Sequence, residues 1–404
     1  MKKNIIITIS IISILLISLA GYIFYKNYRI NHATKIVKLT TSEVEVFTEI
    51  RLQDLIKTIN GTLLENPKID TTIIGEQEIN FEYITNDHIK VPYTIYIEIV
   101  DKTPPSISYP GTYTVEVNSI TKKKLQKAFF CGDNYDDTPT CTIEGDYDLS
   151  KEGDYYVTLK GKDSSNNITE HPFTIRVRQK EKSSNNSGNN SSEANIIKFE
   201  DIVKKYKTKT TKIGIDVSHW QGKINFKELK KSGVEFAYIR VGRGDGIGKD
   251  YVLDDKFEEY IKGFNQVKIP VGVYFYSDAN NEEAAKKEAK WLLSKIKKYK
   301  VDLEIVFDWE NWADYQEYKL SFYHLTKTAE AFIHTVEKKG YTGMLYSSKY
   351  YLENIWFPIK LNIWLAHYTE KTNYEKDFKV WQLCDNGKVS GINDNEVDID
   401  IRYE

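Results

Sequence analysis

Ile305-Val306-Phe307-Asp308-Trp309-Glu310 sets two acids, one residue apart, at the end of an apolar run. Read as the close of a strand over Glu304–Trp309, it sends Asp308 and Glu310 to one face and Trp309 to the other, with the two β-carbons roughly 7 Å apart. Two carboxyls that close inside a site are not both comfortably ionised, so one holds its proton near neutral pH. Whether the pair is inside a site depends on its surroundings.

Working outward, apolar strands alternate with amphipathic helical stretches from about residue 205 to the end, the pattern of a parallel sheet wrapped by helices. Strands are expected at Lys212–Ser218, Phe236–Val241, Val271–Tyr276, Glu304–Trp309, Thr342–Ser347, Asn362–His367, Lys379–Leu383 and Val397–Ile401. Helical runs at Asp255–Asn265, Glu282–Tyr299 and Tyr315–Lys339 separate the early strands, and the last strands are joined by short connections. The expected fold is an α/β TIM-like barrel of eight strands and fewer than eight helices. Such barrels place chemistry at the C-terminal strand ends. Asp216 ends the first strand in Gly214-Ile215-Asp216-Val217-Ser218, and Asp398 lies in the last, Val397-Asp398-Ile399-Asp400. Any one acid could instead cap a helix or satisfy a turn. Four at equivalent strand ends are harder to account for that way. A proton-holding carboxyl with a second carboxyl beside it suits departure of a glycosidic oxygen and support of positive character at the anomeric carbon.

Upstream, the chain is built differently. An uncharged, mostly apolar run from Ile5 to Tyr25, between Lys2-Lys3 and Lys26, is about long enough to cross a bilayer at ~1.5 Å per residue. It has no good small-x-small cleavage site and is expected to be an uncleaved signal-anchor over residues 1–30. Residues 35–178 alternate with period two. Val91-Pro92-Tyr93-Thr94-Ile95 and His171-Pro172-Phe173-Thr174-Ile175 share a Pro-aromatic-Thr-Ile start, so two similar all-β modules are expected, at 35–103 and 104–178. The join at Asp101-Lys102-Thr103-Pro104-Pro105 resembles the boundary between tandem bacterial immunoglobulin-like sandwich modules, which serve as spacers or adhesive units. A Ser/Asn/Gly-rich stretch then gives a flexible linker, placed at 179–204 and expected to isolate a soluble, active unit at 205–404.

Composition excludes some classes. A formal charge of -2 from 56 basic and 58 acidic residues gives no pull toward nucleic acid. Tyr (29) and Trp (7) are abundant, which suits both strand packing and stacking on sugar rings. Of three cysteines, Cys131 and Cys141 are a disulfide candidate and Cys384 is left over. No cysteine or histidine spacing matches a metal site, so no metal or cofactor is expected. The Gly242–Gly248 run lacks the ending of a phosphate loop and reads as a mobile rim loop.

From about Lys212 to Glu404 the chain resembles glycoside hydrolase family 25, the lysozymes with N-acetylmuramidase activity. The matching pieces are Gly214–Gly222, Phe236–Gly244, Ile269–Tyr276, the Asp308-x-Glu310 pair, Ile363–Tyr368, Val380–Leu383 and the closing Val397–Asp400. The resemblance implies cleavage of the β-1,4 bond after N-acetylmuramic acid in peptidoglycan. It implies Glu310 as general acid and then base, and Asp308 orienting the substrate's acetamido group for attack on the anomeric carbon. Asp216 and Asp398 would complete an acidic floor. Trp364, Tyr368, Tyr276 and Tyr346 are candidates for sugar stacking and Gln382 for a hydrogen bond, although core packing explains the aromatics too. The implied partners are glycan strands and, through the N-terminal helix, the cytoplasmic membrane, with the bulk of the chain at the cell surface. A wall-binding scaffold without activity and a hydrolase of another amino-sugar polymer are the rival expectations.

Overall fold

The computed structural model describes residues 2–108, 111–180, 196–358 and 360–404. It divides into two compact units, Met1–Lys102 and Thr103–Glu404.

The first unit begins with a helix, Lys2–Asn31, whose segment Ser10–Asn31 is long and apolar enough to cross a membrane by length and composition. Its β module is a four-stranded sheet with Lys90–Val100 and Gly75–Thr85 at the centre, flanked by Glu43–Glu45 and Gly61–Leu63. Alternation does the sorting here. Phe81 and Tyr83 on one strand, and Ile95, Ile97 and Ile99 on the other, turn inward while the residues between them face solvent.

The second unit opens with a β module of the same plan. Its sheet runs Thr112–Glu116, Ile168–Arg178, Gly153–Lys162, Thr140–Glu144. In both modules the long hairpin lies at the centre, and a short strand runs parallel to the end of the hairpin's second arm. The repeated Pro-aromatic-Thr-Ile motif lies on that arm in each case. Cys131 and Cys141 are joined by a disulfide. Cys384 is a free, buried thiol of the barrel.

The barrel is closed by eight strands: β1 (Thr211–Val217), β2 (Ala237–Gly244), β3 (Val271–Tyr276), β4 (Ile305–Asp308), β5 (Gly343–Ser348), β6 (Asn362–Ala366), β7 (Val380–Val389) and β8 (Ile392–Tyr403). β1 to β7 are parallel neighbours in chain order, and β8 runs antiparallel to both β7 and β1. The last strand thus departs from the expected parallel sheet. Only Ser390 and Gly391 join β7 to β8, with Gly391 at φ +105, and so short a turn can return the chain only antiparallel.

The helices outside are amphipathic and capped. Phe257, Tyr260, Ile261 and Phe264 of the helix Phe257–Val267 face the strands at helical spacing, and the Asn281 and Ser321 side chains accept from the first-turn amides of the next two long helices.

Two expectations are corrected by packing. Of the linker placed at 179–204, residues 181–195 lie outside the described residues. Its last part is structured: Ile197–Lys198 pairs with β7, and the helix Phe199–Tyr206 buries Phe199 and Ile202 in the barrel core. Its apolar side chains gain more from that groove than from solvent. The module at 104–178 is also in contact with the barrel, inserting Phe130 into the barrel's core cluster.

Candidate active site

The barrel interior is layered. At the N-terminal end, Glu304 accepts from Arg402 Nη1 (2.7 Å) and Nη2 (2.9 Å) and from the Tyr238 hydroxyl (2.6 Å), with Lys379 Nζ at 2.7 Å. Burial pushes this carboxyl up, but the two cations and the hydroxyl outweigh it and hold it at about 2. Above lies an aromatic layer in which the Trp364 ring is 4.6 Å from Tyr238 and 5.0 Å from Tyr346. On that layer stand the acids.

Asp216, Asp308, Glu310 and Asp398 line one cavity of about 270 Å³ at the C-terminal ends of the parallel strands, together with Tyr276, Tyr346, Trp364 and Gln382. The strand geometry explains the convergence. Asp308 closes β4 and Glu310 follows two residues on, both toward the cavity, while Trp309 packs outward among Trp312, Tyr315 and Tyr318. Asp216 on β1 is the register partner of Asp398 on β8, which brings these two acids together from opposite ends of the domain.

Gln382 organises the floor. Its Nε2 donates to Asp216 Oδ2 (2.9 Å), and its Oε1 accepts from the hydroxyls of Tyr346 (2.8 Å) and Tyr368 (3.1 Å). The amide orientation is thereby fixed by three partners. Asp308 Oδ1 is buried and has no hydrogen-bond partner, so it is poised to bond a substrate group or a proton.

Burial is the main cause of every shift in this cluster, and like charge adds to it at Asp308, Asp398 and Asp400. Asp216 is pushed up to about 6. Asp308 is raised well above the ordinary range by burial and then by Glu310, and burial raises Glu310 as well. Asp398 is raised by burial and by the charges of Asp216 and Asp400. The site therefore stores protons at pH values where free carboxyls have lost them.

Several residues that matter here were not singled out from sequence. Asp400, fully buried, accepts from Trp364 Nε1 (2.8 Å) and adds a fifth acid beneath the cavity. The period-two rule applied to Asp398 would have found it. Arg240 supplies a cation at the cavity wall, its Nε donating to Asp254 Oδ2 (2.9 Å) and its Nη2 bonded to His219 Nδ1. His219, Asp254 and Asp255 offer ligand atoms within 4.8 Å of one another, but the Arg240 guanidinium already balances that charge. Trp220, 70% exposed at the cavity rim, is the flat aromatic face open to a sugar. Trp364 is 2% exposed, and its visible work is inside the barrel, holding Asp400. Tyr368, 53% exposed, lines a neighbouring groove with Trp312, Tyr350 and Tyr351, which shares Glu310 and Tyr346 with the acidic cavity.

The first part of the glycine-rich run, Gly242–Gly244, is strand, and residues 245–248 form the connection that follows it. Gly242 and Gly244 continue β2 and pair with Tyr251–Leu253. A Cβ on Gly242 would lie 2.4 Å from Val252 O and one on Gly244 2.5 Å from Asp278 Oδ2, so these glycines serve close approach.

A closed strand barrel whose mouth gathers proton-holding acids around an aromatic-rimmed cavity is the domain of a glycoside hydrolase. The family model for glycosyl hydrolases family 25 matches residues 215–392, and the barrel belongs to that family. Over 182 residues the chain is 26% identical to the autolytic lysozyme of Clostridium acetobutylicum, a match covering 44% of this chain and 52% of that protein. It is 27% identical over 198 residues to the uncharacterized protein YegX of Escherichia coli O157:H7, covering 46% and 68%. The chain thus spans about half the length of the first of these relatives. Among solved structures it is similar to a family 25 glycosyl hydrolase from Bacillus anthracis, at 24% identity, 49% and 92% coverage and a TM-score of 0.42.

Proposed function

We propose that this protein is a membrane-anchored muramidase that hydrolyses the β-1,4 bond between N-acetylmuramic acid and N-acetylglucosamine in peptidoglycan. The observation that carries this reading is the convergence of Asp216, Asp308, Glu310 and Asp398 on one cavity within a family 25 domain. Glu310, set where the acidic cavity meets the aromatic groove and raised by burial, protonates the departing glycosidic oxygen and then takes a proton from water. Asp308, with an unpartnered buried oxygen, receives the N–H of the substrate's acetamido group and turns its carbonyl oxygen toward the anomeric carbon. The carbonyl, not an enzyme carboxylate, is the nucleophile on this route, so carboxylate spacing does not set the stereochemistry. Asp216 and Asp398, steadied by Gln382, form the floor that favours positive character at the anomeric carbon. Trp220 and Tyr368 flank the bound glycan.

The helix at Ser10–Asn31 serves as a single-pass anchor, and the two β modules, read as immunoglobulin-like, follow it in the chain and, with the barrel, lie outside the membrane. The deciding experiment digests purified walls and identifies the new reducing ends. Muramic acid ends support the muramidase, a different sugar end indicates another amino-sugar substrate, and binding without cleavage indicates a scaffold. Glu310→Gln keeps the side chain's shape and removes the transferable proton, so it should lower kcat by about 10²–10⁴-fold with the fold intact.

A further inference from the structure

The contact of the module at 104–178 with the barrel centres on one short strand, Phe130–Gly132, preceded by the Lys127–Glu317 ion pair (2.7 Å). Phe129 and Cys131 turn into the module's own core, whereas Phe130 and Gly132 face the barrel. Phe130 is 7% exposed, its ring 5.0 Å from Tyr315, 6.2 Å from Phe322 and 6.3 Å from Trp312. A Cβ on Gly132 would lie 2.6 Å from the Phe322 ring and 2.7 Å from that of Tyr315, so the two surfaces touch at a distance only glycine permits. The turn that follows continues the contact by hydrogen bonds. Phe322 N donates to Asp133 O (2.7 Å), Ser321 N donates to Asp137 Oδ1 (2.6 Å), and His324 Nδ1 lies 2.7 Å from the same oxygen.

All these barrel partners lie in 312–324, the segment leading away from Glu310. Trp312 N donates to Glu310 O (2.8 Å), and the Trp312 ring stacks on Tyr351 at 3.7 Å in the groove that Glu310 also lines. The other flank of the segment is tied to the loop after β3. There Asn311 Nδ2 donates to Ser277 O (2.9 Å), and the Tyr318 hydroxyl donates to Asp278 Oδ1 (2.8 Å). The acid-bearing segment is therefore clamped between the barrel and a separate module.

We propose that Phe130 is a positioning residue for Glu310, and that the β module braces the segment bearing Glu310 instead of acting as a spacer. This rests on the reading of Glu310 as the general acid. A general acid works only within hydrogen-bond reach of the oxygen it protonates, and the short, mostly irregular segment bearing Glu310 does not fix that reach alone. Phe130 fixes it through Trp312 and Tyr315.

The test uses the full chain in detergent, as wild type, Phe130→Ala and Phe130→Leu, with hydrogen exchange of the amides at 311–320 beside kcat and KM on purified walls. Because Phe130 is not part of the module's own core, neither variant should unfold the module. Phe130→Ala should speed exchange at 311–320 by about tenfold or more while β1 to β8 stay protected. It should lower kcat by about ten- to a hundredfold with KM within about twofold, and Phe130→Leu should recover most of both effects. Unchanged exchange at 311–320, or a rise spread evenly over the barrel with no recovery by leucine, overturns the proposal. Failure of the muramidase reading looks different: the wild type then releases no muramic acid ends, and the exchange comparison still decides whether Phe130 holds the segment.

Discussion

Asp216 and Asp398 stand directly opposite each other across the β1–β8 seam, as register partners in the antiparallel pairing that closes the barrel on its first strand. Two carboxyls in that relationship, with Asp400 two residues along the same face, cannot all carry charge, and this sets the pH behaviour of the molecule.

Stability should peak in mildly acidic solution. Asp216 is held at about 6, above its unfolded value, so its contribution is complete below that unfolded value and is lost as pH rises through about 6. Glu304, held at about 2, acts in the opposite sense: its contribution is present above its unfolded value and is lost as pH falls toward about 2. Melting temperature measured from pH 3 to 8 should pass through a maximum near about 4–5, and Asp216→Asn should flatten the alkaline limb. A melting temperature that climbs steadily to pH 8 would contradict this arrangement.

A second buried acid lies outside the cavity. Glu288 accepts from Ser277 Oγ (2.5 Å) and from Asp278 N (3.2 Å), and burial pushes it up to about 8. Its ionisation in the unfolded chain opposes folding at neutral and alkaline pH. Glu288→Gln should stabilise the barrel by about 1–3 kcal/mol at pH 8 and by little at pH 4, read by denaturant melts at both values.

The Cys131–Cys141 bridge closes a short loop, with a sequence separation of 10, that includes Gly132 and the Asp133–Asp137 turn seated on the barrel. Replacing both cysteines by alanine should cost about 2–3 kcal/mol of unfolding free energy on the chain-entropy estimate. Equal denaturant midpoints for the two proteins would show that the loop is held by its barrel contacts alone.

Removing the module should harm the barrel. A fragment of residues 196–404 uncovers the footprint of Phe130 on Trp312, Tyr315 and Phe322, whereas 104–404 keeps it covered. The shorter fragment should be less stable by about 2 kcal/mol or more, from that side chain's burial alone, and more prone to aggregate. Equal stability and solubility of the two would restore the picture of an independent barrel.

The sequence by itself determined what is local and periodic. Alternation marked the strands, the Pro-aromatic-Thr-Ile repeat marked a duplicated sheet plan, and the spacing of Asp308 and Glu310 put both on one face, because strand geometry repeats every second residue. Tertiary structure decided what depends on partners distant in the chain. The antiparallel return of β8 faced Asp398 with Asp216, and burial under Trp364 made Asp400 part of the site. Phe199 and Ile202 became core only where a groove received them, and Phe130 became part of the barrel only because Gly132 lets the module come close. An apolar side chain records that it will be buried, but not by which surface, since that choice belongs to packing between segments whose separation along the chain carries no local signal.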